Sequence, residues 1–148
     1  MTSILRISEA AALALHAVVE LASSDDRQTT KSIADQLGAS SAHLSKVLQR
    51  LTAAGIVNGT RGPRGGFTLS TPAEELRLLD VYEAVEGPYS PNGCLFPKPV
   101  CDQTACIMGD LITRLNEETR TYLEQTKVAW LTTRESRTAN QERIESEE

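Results

Sequence analysis

The stretch TTKSIADQLGASSAHLSKVLQRLTAAGIVNGTRGPRGGFTLS, residues 29–70, decides the fold of this chain. Apolar residues at helical spacing predict one short helix over 31–37 and a second over 41–54. Between them lies the short turn Gly38-Ala39. A short, glycine-led turn lets two helices cross at a steep angle, as a helix-turn-helix requires.

A β-hairpin is predicted directly after the second helix. Residues 56–58 and 66–69 are short strand candidates, and they flank the sequence GTRGPRG. A segment this rich in glycine and proline favours a turn. The hairpin would carry Arg61 and Arg64 at its tip, in the place of a wing.

Helices are also predicted on both sides of this stretch. Residues 8–22 are rich in alanine and leucine and predict a first helix, with Ser8 as its N-cap. A helix over 73–86 follows the hairpin, and a long amphipathic helix is predicted over 107–131. The fold class is therefore mainly α with a small β-hairpin wing: a winged helix-turn-helix plus a long C-terminal dimerisation helix.

Four parts are expected along the chain. Residues 1–87 would form the DNA-binding domain, and 88–106 a Pro/Gly-rich sensor loop that carries all the cysteines. Loops of this length are usually functional or disordered. Residues 107–131 would form the dimerisation helix. The polar residues 132–148 predict a disordered tail.

The charge is divided unevenly between the two halves. The formal net charge is −5, yet residues 1–70 hold seven Lys and Arg against five Asp and Glu, and residues 71–148 hold eight against fifteen. The N-terminal half is thus mildly basic and suited to a phosphate backbone. No apolar run is long enough to cross a membrane, and no signal peptide is recognisable, so we expect a cytoplasmic protein without a membrane partner.

Candidate DNA contacts follow from the predicted second helix of the motif and from the wing. The N-terminal residues of such a helix lie nearest the bases, while long cationic side chains more often hold phosphates. The candidates are Ser40, Ser41, His43, Lys46, Arg50, Arg61 and Arg64. The same fold also occurs in helical protein-interaction modules that do not bind DNA, and this alternative stays open.

Three cysteines form the second functional candidate. Cys94, Cys101 and Cys106 follow the spacing C-x6-C-x4-C within one loop. An odd number in a chain without a recognisable signal peptide argues against a disulfide framework. Thiolates are soft ligands that suit iron–sulfur clusters or zinc, and paired thiols can also form a redox switch.

The chain resembles the winged-helix transcription regulators of the IscR/NsrR type, bacterial proteins that often carry an iron–sulfur cluster. The resemblance rests on HLSKVLQRL at 43–51, AGIV at 54–57, RGPRGGF at 61–67 and LLDVYEAVEG at 78–87, followed by the three cysteines. It implies a homodimer on a palindromic double-stranded operator. It also implies that Ser41, His43, Lys46 and the wing arginines meet DNA.

By the same resemblance, the three cysteines would hold a 2Fe–2S or 4Fe–4S cluster. Their middle member is displaced by one residue from the family's usual spacing. Some relatives supply a fourth ligand from an acid on the first helix, where this chain has Ala12, so Glu9 one turn earlier is a weak candidate. A labile or exogenous fourth ligand is also compatible with the family.

The sequence therefore predicts a DNA-binding transcription regulator whose operator affinity is controlled by a cluster that senses redox state, nitric oxide or iron. A cluster-free thiol/disulfide switch on the same fold is the alternative. We expect no enzyme, because neither a phosphate-cradling P-loop nor an HExxH motif is found.

Overall fold

The computed structural model describes residues 7–102 and 104–146. The predicted parts 1–87, 88–106 and 132–148 each extend to residues outside these ranges (1–6, 103 and 147–148). Six helices and one hairpin follow one another in the described chain. They are α1 (Glu9–Ala22), α2 (Thr30–Leu37), α3 (Ser41–Ala53), β1 (Val57–Thr60), β2 (Gly66–Leu69), α4 (Leu78–Glu86), α5 (Leu111–Gln125), a 3-10 segment (Val128–Leu131) and α6 (Arg134–Ser146).

Each of the first three helices begins after a serine or threonine N-cap, and for α1 this is the predicted Ser8. The hydroxyls of Ser8, Thr29 and Ser40 accept hydrogen bonds from the first turns of α1, α2 and α3. Such bonds satisfy N–H groups that have no partner within a helix. Gly38 ends α2 at φ +63°, a left-handed conformation that suits glycine. The steep entry into α3 is therefore encoded locally.

One hydrophobic core joins α1, α2, α3, the start of the hairpin and α4. Leu44, Leu48 and Leu51 of α3 are fully buried, as are Ile33 of α2 and Val81 of α4. The core fixes α3 on one side, so its opposite side is free to face another molecule.

The hairpin is antiparallel and pairs Val57 with Leu69 and Thr60 with Gly66. It is thus displaced slightly from the predicted first strand, 56–58. Gln28, which precedes α2, exchanges both backbone hydrogen bonds with Phe67, at 3.1 and 2.8 Å. This one-residue bridge pairs Gln28 with β2 on the side away from β1, and it links the wing to the connection between α1 and α2. Together these features confirm the predicted winged helix-turn-helix fold.

Two predicted helices are shorter than expected, and one long-range pairing explains the late start of the first and the early end of the second. The helix predicted over 73–86 begins only at Leu78, and the helix predicted over 107–131 starts at Leu111 and ends at Gln125. Leu78 N–H donates to the Thr126 carbonyl at 3.0 Å, and Val128 N–H donates to the Leu76 carbonyl at 2.9 Å. Backbone groups committed to each other across the fold are not available to continue either helix.

The predicted disordered tail is wrong for the part of it that the structure describes. Residues Arg134–Ser146 form α6, which packs against the 3-10 segment. The guanidinium of Arg143 lies 3.9 Å from the ring centroid of Trp130, and Arg137 Nε donates to the Leu131 carbonyl at 2.6 Å. Cation–π and side-chain-to-backbone contacts therefore hold a helix whose composition is too polar for a core of its own.

Candidate nucleic-acid interface and cysteine loop

The exposed side of α3 carries predicted DNA contacts. Ser41 and Lys46 are exposed, and His43 is partly exposed, on the side opposite the buried leucines. The hydroxyl of Ser40 is also exposed, and it caps the helix by accepting from His43 N–H at 3.4 Å. The structure thus brings four of the predicted residues to one helix end, and Ser40 supports that end.

The predicted phosphate ligands of the wing are exposed at its tip. Arg61 and Arg64 lie between the strands, in the turn that Gly62 shapes with φ +108°. Within residues 7–102 and 104–146, no carboxylate lies at ion-pair distance from Arg61, Arg64 or Lys46. Three cations at this surface are therefore not neutralised by the described part of the chain.

Arg50 is placed differently from the other predicted DNA contacts. Its Nη1 donates to the backbone carbonyl of Val85 at 3.1 Å, in the last turn of α4. Sequence reasoning missed this contact, because 35 positions separate the two residues and no local pattern signals it.

The N-terminus of α1 also contacts α3 and α4. Glu9 Oε1 lies 3.7 Å from Nδ1 of His43, so this carboxylate borders the candidate base-reading surface. The neighbouring Ser8 hydroxyl hydrogen-bonds the carboxylate of Glu86. Glu9 is also the weak candidate for a fourth metal ligand. Within its own chain, this carboxylate lies beside α3.

The cysteine loop follows α4 from Gly87 onwards. The first part of the loop is hydrogen-bonded to α5. The Asn116 side chain donates to the Asn92 carbonyl at 3.1 Å, and Asn92 Oδ1 accepts from Cys94 N–H at 3.3 Å. Tyr89 donates its hydroxyl to the Asn116 carbonyl at 3.2 Å. Asparagine side chains commonly hold turns in this way, so the Asn92-Gly93 dipeptide was a sequence signal for this anchor.

The three thiols differ in exposure. Cys94, beside the asparagine anchor, is half-buried, whereas Cys101 and Cys106 are exposed, and all three are free thiols. In the described part of the chain, no three His, Cys, Asp or Glu side chains converge to hold a metal ion. Three thiols on one loop are a suitable donor set for an iron–sulfur cluster, but the single chain does not preassemble the site.

Carboxylates near the cysteines have ordinary local partners. Asp102 accepts hydrogen bonds from the Thr104 hydroxyl at 2.8 Å and the Thr104 N–H at 3.1 Å. These bonds hold the pKa of the Asp102 carboxyl below its usual value. Asp110 lies 3.2 Å from the guanidinium of Arg114. Both carboxylates are engaged in local contacts.

Large apolar side chains next to the cysteines in sequence are exposed. Val100 is 80% exposed and Ile107 is 93% exposed, and Leu95 and Phe96 are about half exposed. Tyr122 on α5 is exposed as well. Exposed apolar surface, where it is contiguous, usually marks a surface that another molecule covers.

No helix among the described residues has both the length and the apolar character needed to span a bilayer.

Comparison with known proteins finds curated relatives that match about half of the chain. The chain is 31% identical over 86 residues to the HTH-type transcriptional regulator IscR of Cereibacter sphaeroides, a match that covers 55% of this chain and 56% of that protein. Three other curated relatives are matched over 38% to 53% of their own lengths.

Solved structures share the fold. The structure of CymR, the global cysteine regulator of Bacillus subtilis, superposes with a TM-score of 0.70 at 26% identity, covering 86% of this chain and 96% of that one. The oxidised form of Staphylococcus aureus CymR gives a TM-score of 0.69 at 25% identity, covering 86% and 96%. These relatives are regulators, which agrees with the prediction that the chain is not an enzyme.

The model of the Rrf2 family, described as iron-dependent transcriptional regulators, matches residues 7–134, so that nearly all of α6 lies beyond it. The chain belongs to the Rrf2 family of transcriptional regulators.

Proposed function

We propose that this chain is a sequence-specific regulator that reads duplex DNA with α3 and the wing. The observation that carries the proposal is the division of α3: one side is fixed in the core, and the other presents Ser41, His43 and Lys46 to solvent. Side chains of these types hydrogen-bond base edges and phosphates. Arg61 and Arg64 on the wing would clamp the backbone or enter a minor groove.

A homodimer on a palindromic operator completes this proposal. Val100, Ile107 and Tyr122 expose apolar surface along the cysteine loop and α5, and a second copy of the chain would cover it. The family resemblance favours the same assembly. Two copies related by a twofold axis would present two recognition helices, and operator symmetry would mirror that axis.

The wing is tested by Arg64→Ala, with operator affinity measured at several salt concentrations. If Arg64 holds a phosphate, affinity falls for all duplex sequences and the slope of log K against log salt becomes shallower by about one unit. Lys98→Ala, on the cysteine loop, is the control and should keep the slope. An unchanged slope for Arg64→Ala would remove the wing from the interface. Absence of any duplex binding by the wild type would favour a protein-interaction module.

For the control of DNA affinity we propose an iron–sulfur cluster, 2Fe–2S or 4Fe–4S, held by Cys94, Cys101 and Cys106. Support comes from the three thiols on one loop and from the family description as iron-dependent. Such a cluster, when bound, supplies a redox- and nitric-oxide-sensitive centre. The protein's own part is to supply three thiolates and to anchor the first of them through Asn92 and Asn116.

A thiol/disulfide switch is the second candidate, favoured by two observations. The described side chains form no ready metal site, and the oxidised form of S. aureus CymR is structurally similar. In such a switch Cys101 and Cys106, the two exposed thiols, would lose two electrons and two protons to a hydroperoxide. The peroxide O–O bond breaks to give an alcohol and water as the S–S bond forms.

An anaerobic absorption spectrum separates the two candidates. After reconstitution with iron and sulfide, a cluster gives visible absorption that Cys101→Ala abolishes, and operator affinity differs between the loaded and the metal-free protein. Ser90→Ala, a loop residue outside the donor set, should keep the absorption. Colourless wild-type protein that loses two free thiols on peroxide treatment and changes affinity would replace the cluster by the switch. Equal affinity in every state would leave a DNA-binding protein without this control.

A further inference from the structure

The cysteine loop begins at the end of α4. The last turn of α4 is hydrogen-bonded to α3, which is the recognition helix of the proposed DNA interface. Val85 and Glu86 form the last turn of α4, and the loop starts at Gly87 with φ +82°. The Val85 carbonyl accepts from Arg50 Nη1 at 3.1 Å, across the interface between α3 and α4. A displacement of the loop at its root therefore acts directly on a side chain of α3.

A second set of contacts leads from the same turn to the other end of α3. The Glu86 carboxylate accepts from the Ser8 hydroxyl, and that hydroxyl caps α1 by accepting from Ala11 N–H at 3.0 Å. Next in the chain, Glu9 lies 3.7 Å from Nδ1 of His43. The last turn of α4 is thus connected with α3 near its C-terminus by Arg50 and near its N-terminus through α1.

The loop itself is joined to the last turn of α4 by a further hydrogen bond. Glu83 Oε1 accepts from the backbone N–H of Tyr89 at 2.9 Å, and Tyr89 is held on α5 by Asn116. The rings of Tyr82 and Tyr89 meet edge to face at 5.5 Å between centroids. The segment from α4 to Cys94 is therefore fixed at both ends, whereas Cys101 and Cys106 are exposed.

We propose that Arg50 is a positioning residue that transmits the state of the cysteine loop to the recognition helix through its hydrogen bond to Val85. A guanidinium bound to a backbone carbonyl is directed towards α4 rather than towards a phosphate. Arg50 therefore sets where α3 lies relative to α4, and through α3 the placement of the base-reading side chains. The inference rests on the proposed function, since it assumes that the loop controls DNA affinity.

The chain allows a selective test, because all three of its cysteines lie in the loop and it contains only two histidines. Alkylation with iodoacetamide therefore modifies the loop alone. His43 lies on α3, whereas His16 lies on α1 with Nδ1 2.7 Å from the Ala12 carbonyl. The NMR resonances of the His43 ring thus report on α3, and those of the His16 ring serve as an internal control.

The expected result for the wild type is that alkylation shifts the His43 resonances and leaves those of His16 unchanged. Affinity for a duplex selected by the wild-type protein from a random library should change about fivefold or more. In Arg50→Met the His43 shift becomes smaller, because only the contacts through α1 remain, and the affinity ratio between alkylated and free protein falls to within about twofold of one. Arg50→Lys, which keeps one donor for the Val85 carbonyl, restores part of the ratio.

Arg61→Met is the matched control for a simple phosphate contact. It should weaken binding equally in both states and keep the ratio. If Arg50→Met behaves in the same way, or if alkylation never moves His43, the coupling role is overturned. Thermal unfolding of each variant identifies a loss of fold, in which case Arg50→Lys alone carries the comparison.

These outcomes separate the coupling from the proposed function. If the cluster or disulfide state changes operator affinity equally in the wild type and in Arg50→Met, the proposed function stands and the coupling fails. If alkylation moves His43 more in the wild type than in Arg50→Met, while neither iron nor peroxide changes affinity, the coupling stands and the proposed control fails.

Discussion

Two regions of this molecule, the DNA-reading half formed by residues 9–86 and the cysteine-bearing segment 87–110, differ in how they are stabilised. Residues 9–86 bury nearly all of the hydrophobic core, and Leu44 and Leu48 have no exposed surface. Residues 87–110 contain no helix or strand among those described, and they leave Val100 and Ile107 almost fully exposed. The DNA-reading half is thus preformed in one chain. The cysteine-bearing segment depends on hydrogen bonds to α5 and, by our proposal, on a cluster or a second chain.

The largest expected effect comes from truncating one leucine of the preformed half. Leu48→Ala removes a fully buried side chain, so the free energy of unfolding should fall by about 2–5 kcal/mol. Val100→Ala removes a side chain that is 80% exposed and should change it by less than about 0.5 kcal/mol. Urea unfolding at low protein concentration measures both. A similar loss for both variants would show that the loop is packed as firmly as the core.

A glycine pair tests the same difference at the backbone. Gly66 has φ +139°, and a Cβ there would lie 2.8 Å from the Gln28 carbonyl oxygen. Gly66→Ala should therefore lower the free energy of unfolding by about 1–3 kcal/mol and loosen the wing. Gly93→Ala meets no atom within 4 Å and should be close to neutral. Thermal unfolding of the two variants is the measurement. A neutral Gly66→Ala would mean that the bridge to Gln28 does not constrain the wing.

The smallest effect is expected at the start of α4, where it contacts α5. Asp80 accepts from the Arg77 guanidinium at 2.7 Å and from the Arg77 N–H at 3.0 Å, and Arg77 also lies 3.7 Å from Glu124 of α5. The hydrogen bond from the Arg77 side chain is the main reason that the pKa of Asp80 is lowered. Loss of this N-terminal contact in Asp80→Asn should cost about 1 kcal/mol at neutral pH.

The pH dependence of that cost has a definite sign. A carboxyl with a lowered pKa in the folded state stabilises the fold above its unfolded pKa, about 3.9, and loses this contribution as the pH falls through the folded value. The wild type and Asp80→Asn should therefore differ at pH 7 and converge in acid. Unfolding curves at several pH values check this. A gap that stays constant down to acid pH would assign the effect to packing.

Local signals sufficed where the chain is governed by local chemistry. Ser8 predicted the start of α1 and Gly38 the turn after α2, because caps act on their own first or last turn. The late start of α4 and the early end of α5 were missed because their cause is long-range. Backbone pairing of residues 73–78 with 126–129 interrupts the two helical patterns. The helix α6 was missed because the partner of its Arg143, the ring of Trp130, lies outside the helix and is not part of its sequence pattern.

The candidate site divides in the same way. Exposure of Ser41, Lys46 and the wing arginines follows from helical periodicity and from the glycine-rich turn. The carbonyl partner of Arg50 does not, because it belongs to another helix. Sequence spacing groups the cysteines, but thiols on an irregular loop take their geometry from whatever they bind. That geometry is not contained in the sequence of one chain.

The cation–π contact at α6 makes tryptophan fluorescence a reporter of how α6 is docked. Trp130 is the single tryptophan, and Arg143 lies over its ring at 3.9 Å. Intrinsic fluorescence therefore monitors the C-terminal end of the molecule, whereas circular dichroism averages over all six helices. If α6 detaches before the winged helix melts, the two optical signals will give separate transitions in one titration. Undocking of α6 can thus be followed in the unlabelled protein.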